Sequence, residues 1–402
     1  MKHLFRIYFL LSAALVVMSL SAQESDSVRR RHAIHRIAVD VRGAYVAPTS
    51  KYLQVDEYGS NLSLRKSGSL HLKYGFQLDP RSRLGRLYPH TTQGIGFAYN
   101  RMDNTREVGN PWAVYLFQAS RIATLAPRLS LDYEWNFGAS FGWKPYDELE
   151  NPRNRVVGSP INAYLNVGFF LNARLSDRCS LLAGVDLAHY SNGNTHLPNS
   201  GVNTLGGRVG LVYTLNPPGS PRQTPVAERW ELAGASFWRR VSYDLTLYAA
   251  TRAKGVELDG HAYILPGHFG ILGFNFNPMY KFNRFLKAGF SLDGQYDESA
   301  NITADGYIIE EGVPRFFRPP LYKQVGVGLS ARGEFTMPIF SINIGIGHNI
   351  YYNKGNLRGL YQVAALKVSV TRDLFLHIGY QLHKFHEPNN LMVGIGYRFH
   401  NR

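Results

Sequence analysis

A histidine and a serine stand two residues apart at His189 and Ser191, with asparagines following at Asn192 and Asn203. A serine hydroxyl becomes a nucleophile when a histidine within hydrogen-bond reach takes its proton, and a third group must fix the tautomer of that histidine. Residues i and i+2 on one face of a strand lie about 6.5–7 Å apart, a span that an imidazole and a hydroxyl can close. The spacing is therefore compatible with acyl-ester hydrolysis. The other interpretation is that His189 and Ser191 are interfacial polar residues that mark the end of a strand.

The strand that leads into this segment has one apolar row and one polar or small row. Its odd positions are apolar from Leu181 to Leu187, and His189 and Ser191 continue the same row. Asn203 belongs to the apolar row of the next strand. Polar groups on a lipid-facing surface are costly and need a reason. The parity therefore predicts that three polar groups converge on the outside of a membrane barrel, at one rim.

Period-2 alternation runs along most of the chain and is clearest over 131–143, where the apolar face has aromatic residues at both ends. Strands of about ten residues with aromatic ends are typical of outer-membrane barrels. The residues Gly394, Tyr397 and Phe399 resemble the last-strand signal of such barrels. We predict an all-β, antiparallel, up-and-down outer-membrane barrel of 14–16 strands, with strands at 34–47, 63–78, 91–101, 112–123, 129–143, 161–174, 180–191, 203–215, 240–252, 268–282, 285–296, 321–336, 339–352, 361–371, 373–384 and 391–400.

The N-terminus predicts export, because a basic start, an apolar stretch and a small pair at Ser21-Ala22 form a secretory signal peptide over 1–22. The proline-rich break at 217–225 could separate two eight-stranded halves, but by alternation it falls on the periplasmic side. We therefore expect 23–402 to form a single barrel in which this break is a long turn. Short turns and long loops alternate along the chain, and counting from a periplasmic N-terminus places His189 and Ser191 at the outer rim.

Composition excludes several classes. Charged residues make up 18% of the chain, against about 25% in soluble domains. No run of 18 apolar residues follows the N-terminus, which argues against a helical membrane protein. The single cysteine, Cys179, excludes a disulfide framework and any CxxC metal or redox site. For an exported chain, a net charge of +15 favours a phosphate-rich membrane surface over nucleic acid as partner.

The stretch H-Y-S-N at 189–192, continued by P-N-S-G at 198–201, resembles the PagL-type lipid A 3-O-deacylases. That resemblance implies an outer-membrane barrel esterase whose site faces the outer leaflet. It makes His189 the base, Ser191 the nucleophile and Asn192 a part of the oxyanion hole. The deacylase-like part spans 34–215, and the resemblance leaves 230–402 as additional strands that enlarge the barrel, since the family's own barrel has eight strands.

The family's third catalytic residue is a glutamate, and the matching position here is Asn203. An asparagine can orient a histidine but cannot stabilise an imidazolium by charge. Asp186 is an unsuitable substitute because its parity points it inward. Glu148 and Glu150 would reach the site only if their loop folds over it.

The resulting hypothesis is an outer-membrane serine esterase that removes an ester-linked hydroxyacyl chain, at the 3-O position, from the lipid A of lipopolysaccharide. It needs no metal and no organic cofactor. One alternative is a non-catalytic channel or structural barrel with a decayed triad, in which inward polar residues line an aqueous lumen: Asp132, Glu134, Asn166, Arg174 and Arg208. Another is a phospholipase that uses the same serine and histidine. The sequence leaves open whether the barrel forms a homodimer.

Overall fold

The structure is a computed structural model that describes residues 33–49, 64–79, 82–217, 232, 234–258, 261–310, 313–352, 357, 359–385 and 387–401. The predicted signal peptide at 1–22 lies outside these residues. The described chain is almost entirely β-structure, and all of its strand pairs are antiparallel.

The first eight strands close into one barrel, because each pairs with the next in the sequence and the eighth returns to the first. Asp40 of the first strand lies in register with Gly210 of the eighth. The strands are β1 Ile34–Ala47, β2 Lys66–Gln77, β3 Thr92–Met102, β4 Gly109–Ala126, β5 Leu129–Trp143, β6 Ile161–Arg174, β7 Cys179–Ser191 and β8 Val202–Thr214.

Eight later strands close into a second barrel in the same way, with Asp244 of its first strand in register with Arg398 of its last. Two separate hairpins, Gly255–Leu258 with His261–Ile264 and Thr303–Glu310 with Val313–Phe317, interrupt the order of its strands. In chain order the strands are β9 Val241–Arg252, β10 Gly255–Leu258, β11 His261–Ile264, β12 Phe269–Lys281, β13 Leu286–Asp297, β14 Thr303–Glu310, β15 Val313–Phe317, β16 Val325–Thr336, β17 Phe340–Tyr351, β18 Leu360–Ser369, β19 Leu374–His383 and β20 Glu387–His400.

Helices are short and lie between strands: α1 Arg83–Leu87, α2 Thr105–Val108, α3 Phe237–Arg240 and a 3-10 turn at Leu321–Lys323. None of the helices in the described residues has the length and hydrophobicity that a membrane-spanning helix requires.

The prediction of an all-β antiparallel barrel is confirmed, and each of the sixteen predicted strands is present within a few residues of its predicted bounds. The prediction of one barrel with 14–16 strands is wrong, since the sixteen barrel strands close as two barrels of eight. Alternation shows which side chains of a strand face outward, but it does not show which partner the eighth strand takes. The two compact units of the chain divide between Glu228 and Arg229, just beyond the proline-rich break.

Buried ion pairs occupy part of the interior of each barrel. In the first, Glu134 lies 2.8 Å from Lys73 and 2.9 Å from Arg208. In the second, Glu334 lies 3.0 Å from Lys287 and 3.1 Å from Arg398. An eight-stranded barrel is just wide enough to be filled by such side chains. The wide lumen expected for a sixteen-stranded channel is therefore not formed.

Candidate active site

The strands β7 and β8 carry the candidate site on the outer wall of the first barrel. Leu187 and Leu205 face outward and are each 53% exposed, whereas Tyr190 points inward and is 5% exposed. His189 and Ser191 lie on the row of Leu187, and Asn203 lies on the row of Leu205. The predicted parity is thus confirmed. Because β7 pairs with β8 in the register His189 to Asn203, these side chains are direct neighbours across the ladder.

A chain of two hydrogen bonds joins the three side chains. His189 Nε2 lies 2.9 Å from Ser191 Oγ, and His189 Nδ1 lies 2.6 Å from Asn203 Oδ1. An amide oxygen only accepts hydrogen bonds, so the Nδ1 atom of His189 must carry the proton. The lone pair of Nε2 then faces the Ser191 hydroxyl. This is the tautomer in which a histidine can take the proton of a serine.

Gly201 covers the imidazole ring from the side of the loop. Its φ angle is +71°, and a Cβ atom at this position would lie 3.1 Å from His189 Cε1 and 3.0 Å from the carbonyl oxygen of Tyr190. The Gly201 N–H donates to the Val156 carbonyl, and its own carbonyl accepts from Thr49 Oγ1. Only glycine meets both the left-handed backbone and the close approach. In the sequence, Gly201 is only the last residue of the P-N-S-G stretch, which predicts no role for it.

The loop between β5 and β6 folds over the same end of the barrel. Val156 and Val157 are buried in the cluster that contains Tyr190 and Val202. The side-chain oxygen of Asn154 accepts from the backbone N–H groups of both valines. The folding of this loop was an open expectation only for its acidic part, at Glu148 and Glu150. The apolar pair between turn-forming asparagines and prolines at 151–160 is the signal that would have indicated an ordered loop.

The proposed acidic substitutes for the third residue do not reach the site. Glu148 and Glu150 are exposed, and the described contacts of their segment are local, such as the Glu150 N–H donating to Asp147. Asp186 points inward and pairs with Arg42 and Arg208 in the barrel interior. Asn203 is therefore the third member of the hydrogen-bonded chain.

Asn192 is buried and organises the loop that follows the serine. Its side-chain Nδ2 donates to the carbonyl of His196 at 3.0 Å, and its backbone N–H donates to the side chain of Asn199 at 3.1 Å. Gly193 and Asn194 both have φ angles of +64°, which turns the chain back on itself directly after the strand. The bond to His196 uses one of the two Nδ2 hydrogens of Asn192. The role of Asn192 in the oxyanion hole stays a prediction.

The wall beneath the site is apolar and exposed. Leu165 of β6 pairs with His189, and one row further down, Val167 pairs with Leu187, which in turn pairs with Leu205. All of these side chains point outward. A hydrocarbon chain placed here would lie against aliphatic side chains and end at the Ser191 hydroxyl. Among the described residues, no cluster of side chains is suited to hold a metal ion.

Comparison with known proteins places these features in a family. Residues 68–212 match the family of lipid A 3-O-deacylase (PagL), and residues 241–401 match the acyloxyacyl hydrolase C-terminal domain. The class is that of outer-membrane β-barrel hydrolases. The first barrel belongs to the PagL lipid A 3-O-deacylase family, and the second barrel matches the C-terminal domain of acyloxyacyl hydrolases.

Solved structures with a similar fold include the Neisserial surface protein A (NspA), with 10% identity, a TM-score of 0.31 and coverage of 45% of this chain and 97% of that one. They also include the outer membrane enzyme PagL, with 14% identity, a TM-score of 0.29 and coverage of 43% and 97%. No curated protein sequence matches the chain.

Proposed function

We propose that the first barrel is a serine esterase that removes the 3-O-linked hydroxyacyl chain from lipid A. The observation that carries this proposal is the hydrogen-bonded chain from Ser191 through His189 to Asn203, which lies on a wall of exposed aliphatic residues. Polar side chains on a lipid-facing wall cost free energy, so their presence there needs a reason. A nucleophile and a base that must reach an acyl ester inside a membrane would have to lie on such a wall.

The reaction follows from the tautomer of His189. Its Nε2 takes the proton of Ser191 as Oγ attacks the ester carbonyl, and a tetrahedral oxyanion forms. Collapse of this intermediate breaks the bond to the sugar oxygen, and His189 returns the proton to the leaving hydroxyl of lipid A. Water, deprotonated by His189, then attacks the acyl-serine. The bond between the acyl carbon and Ser191 Oγ breaks, His189 returns the proton to Oγ, and the hydroxy fatty acid leaves.

We assign the stabilisation of the oxyanion to Asn192 and to backbone N–H groups of the turn that follows it. Donors held by a rigid loop need no reorganisation when the charge develops. The bonds of Asn192 to the loop provide that rigidity. Asn203 holds the imidazole in place but adds no charge, so the imidazolium of the transition state is less stabilised than it would be beside a carboxylate.

We propose that the site faces the outer leaflet. It lies at the end of the barrel that carries the connections over 144–160 and 192–201, whereas the other end has the two shortest connections, at 127–128 and 175–178, together with a longer one over 78–91. Long loops of outer-membrane barrels face the exterior. Lipid A in the outer leaflet would then present its acyl chains to the wall of β6, β7 and β8.

The test is mass spectrometry of lipid A after incubation with the purified protein in nonionic detergent. We expect the wild type to remove the mass of one hydroxyacyl chain, and the Ser191→Ala variant to leave the spectrum unchanged. Ser67→Ala is the matched control, because Ser67 lies in β2 towards the same end of the barrel and makes no described contact with His189.

A parallel incubation with glycerophospholipids separates a lipid A deacylase from a phospholipase. Release of fatty acid from phospholipid alone would contradict the proposed substrate. Equal activity of wild type and Ser191→Ala on lipid A would contradict the proposed nucleophile. Heat-modifiable mobility in gels shows that each variant is folded.

A further inference from the structure

The end of the first barrel opposite the candidate active site holds a cavity of about 500 Å³. Its walls come from the barrel interior and from the turns around 126–130 and 174–177. Eight-stranded barrels of this size are usually filled by side chains. A cavity within the volume range of small-ligand sites, about 300–1,000 Å³, therefore needs an explanation.

The cavity is rich in positive charge. Five cationic side chains line it against three carboxylates, an excess of two. Lys73 and Glu134 form an ion pair with each other at 2.8 Å. What remains are two carboxylates, Asp132 and Asp177, and four guanidinium groups: Arg36, Arg121, Arg128 and Arg174.

Neither of two guanidinium groups in the wall has a described hydrogen bond to a carboxylate. Arg36 donates to Thr92 Oγ1 at 2.7 Å and to Gln77 Oε1 at 2.8 Å, which are both uncharged acceptors. Arg121 forms an ion pair with Asp132, but its Nε atom lies 4.0 Å from the carboxylate oxygen and has no hydrogen-bond partner. Guanidinium groups whose N–H donors are not used by carboxylates are suited to bind phosphate oxygens in pairs.

Two more arginines stand side by side at the rim. The backbone N–H of Arg174 donates to the carbonyl of Arg128 at 2.8 Å, which places these two exposed residues next to each other. Within the part of the chain that the structure describes, neither side chain forms an ion pair. Like charges held together without a counter-charge favour an anionic ligand between them.

The remaining lining matches a sugar better than a bare anion. Phe117 and Phe170 contribute aromatic surface, and the amide of Asn172, which donates to Asp132 at 2.8 Å, lies with the Gln77 amide among the polar groups of the wall. Aromatic surface with a few polar groups is the usual lining of a small-molecule site. A sugar ring with its hydroxyl groups would use both kinds of surface.

We propose that this cavity, defined here as the arginine pocket, binds a small sugar phosphate, with the phosphate held by Arg36 and Arg121. The pocket is distinct from the Ser191 site, which lies on the outer wall at the other end of the barrel. If the esterase site faces outward as proposed above, the arginine pocket faces the periplasm.

Calorimetric titration of the full-length protein in nonionic detergent tests the proposal with three probes: glucose 1-phosphate, glucose and inorganic phosphate. We expect glucose 1-phosphate to bind more tightly than either of the others. The double variant Arg36→Gln, Arg121→Gln should weaken its binding at least tenfold. Arg153→Gln, an exposed arginine in the loop at the opposite end, removes a positive charge without touching the pocket and should bind like the wild type.

Absence of binding by the wild type would overturn the proposal, as would an equal loss in the Arg153→Gln control. Inorganic phosphate binding as tightly as glucose 1-phosphate would overturn the assignment of a sugar. Lipid A deacylation by the double variant reports separately on the esterase site, so a failure of one proposal is distinguishable from a failure of the other.

Discussion

The two barrels share an interior plan and differ on their outer walls. In both, the first strand contributes an aspartate, Asp40 or Asp244, and the last strand an arginine, Arg208 or Arg398, to a buried ion-pair network around a central glutamate. Buried charges persist only when they are paired. The repeated arrangement links the first and last strands of each barrel through the interior.

The outer walls lack this likeness. On β7 the apolar row ends in His189 and Ser191, whereas the corresponding penultimate strand of the second barrel, β19, carries Ile378, Tyr380 and Leu382 on its outward row. The next strand there continues with exposed Val393 and Ile395. The fold is therefore common to both halves of the chain, and the chemistry proposed above depends on three side chains that only the first half carries in this arrangement among the described residues.

The largest expected effect is the loss of the nucleophile. Ser191→Ala should lower lipid A deacylation by about 10⁴-fold or more, because no other described hydroxyl lies within hydrogen-bond reach of His189 Nε2. Activity is measured by release of hydroxy fatty acid. Activity of the variant within tenfold of the wild type would show that Ser191 is not the nucleophile and that another residue, in the first or the second barrel, carries out the reaction.

The next effect concerns the third residue. Asn203→Leu should lower activity by about 10²–10⁴-fold, because His189 Nδ1 loses the acceptor that fixes its tautomer. Asn203→Glu should restore a charge beside the imidazolium and raise activity over the wild type by about tenfold. An Asn203→Leu variant as active as the wild type would show that this hydrogen bond is not used.

A smaller effect is expected from the glycine that covers the ring. Gly201→Ala places a methyl group 3.1 Å from His189 Cε1 on a left-handed backbone. Displacement of the imidazole should lower the turnover number by about tenfold, since misplacement of about 1 Å is costly to a positioned base. Gly207→Ala is the control, because Gly207 lies on the outward row of β8, the strand that begins directly after Gly201, and a Cβ there meets nothing closer than 3.7 Å. Equal loss in both variants would argue against a specific role for Gly201.

The buried ion-pair networks of the two barrels predict an effect on stability that should be alike in both. Glu134→Gln and Glu334→Gln each leave buried cations without their central carboxylate, at a cost of about 3–5 kcal/mol to the barrel concerned. Urea unfolding followed by tryptophan fluorescence measures the change. Deacylation should fall with the stability of the first barrel in Glu134→Gln and persist in Glu334→Gln. Loss of activity in both would show that the second barrel supports the site.

Much of the fold and of the candidate site was predictable from the sequence, because the alternation of apolar and polar residues is a local property. Parity placed His189, Ser191 and Asn203 on one outer face, and the structure joins them by hydrogen bonds. Closure was not predictable in this way, because the pairing of β1 with β8 joins residues such as Arg36 and Thr214, which are far apart in the chain. The position of Gly201 over the ring depends on contacts with Val156 and Thr49 from two other loops, which no spacing along the chain reveals.

The closure of each sheet on itself has a consequence for the evolution of such a chain. Every strand of the first barrel finds both of its partners between Ile34 and Thr214, and every strand of the second between Val241 and His400. Separation of the chain between the two barrels leaves no barrel strand with an exposed edge that could pair with another molecule. Duplication, loss or exchange of a whole half of the gene therefore preserves complete barrels, so that one copy can keep its reaction while the other diverges.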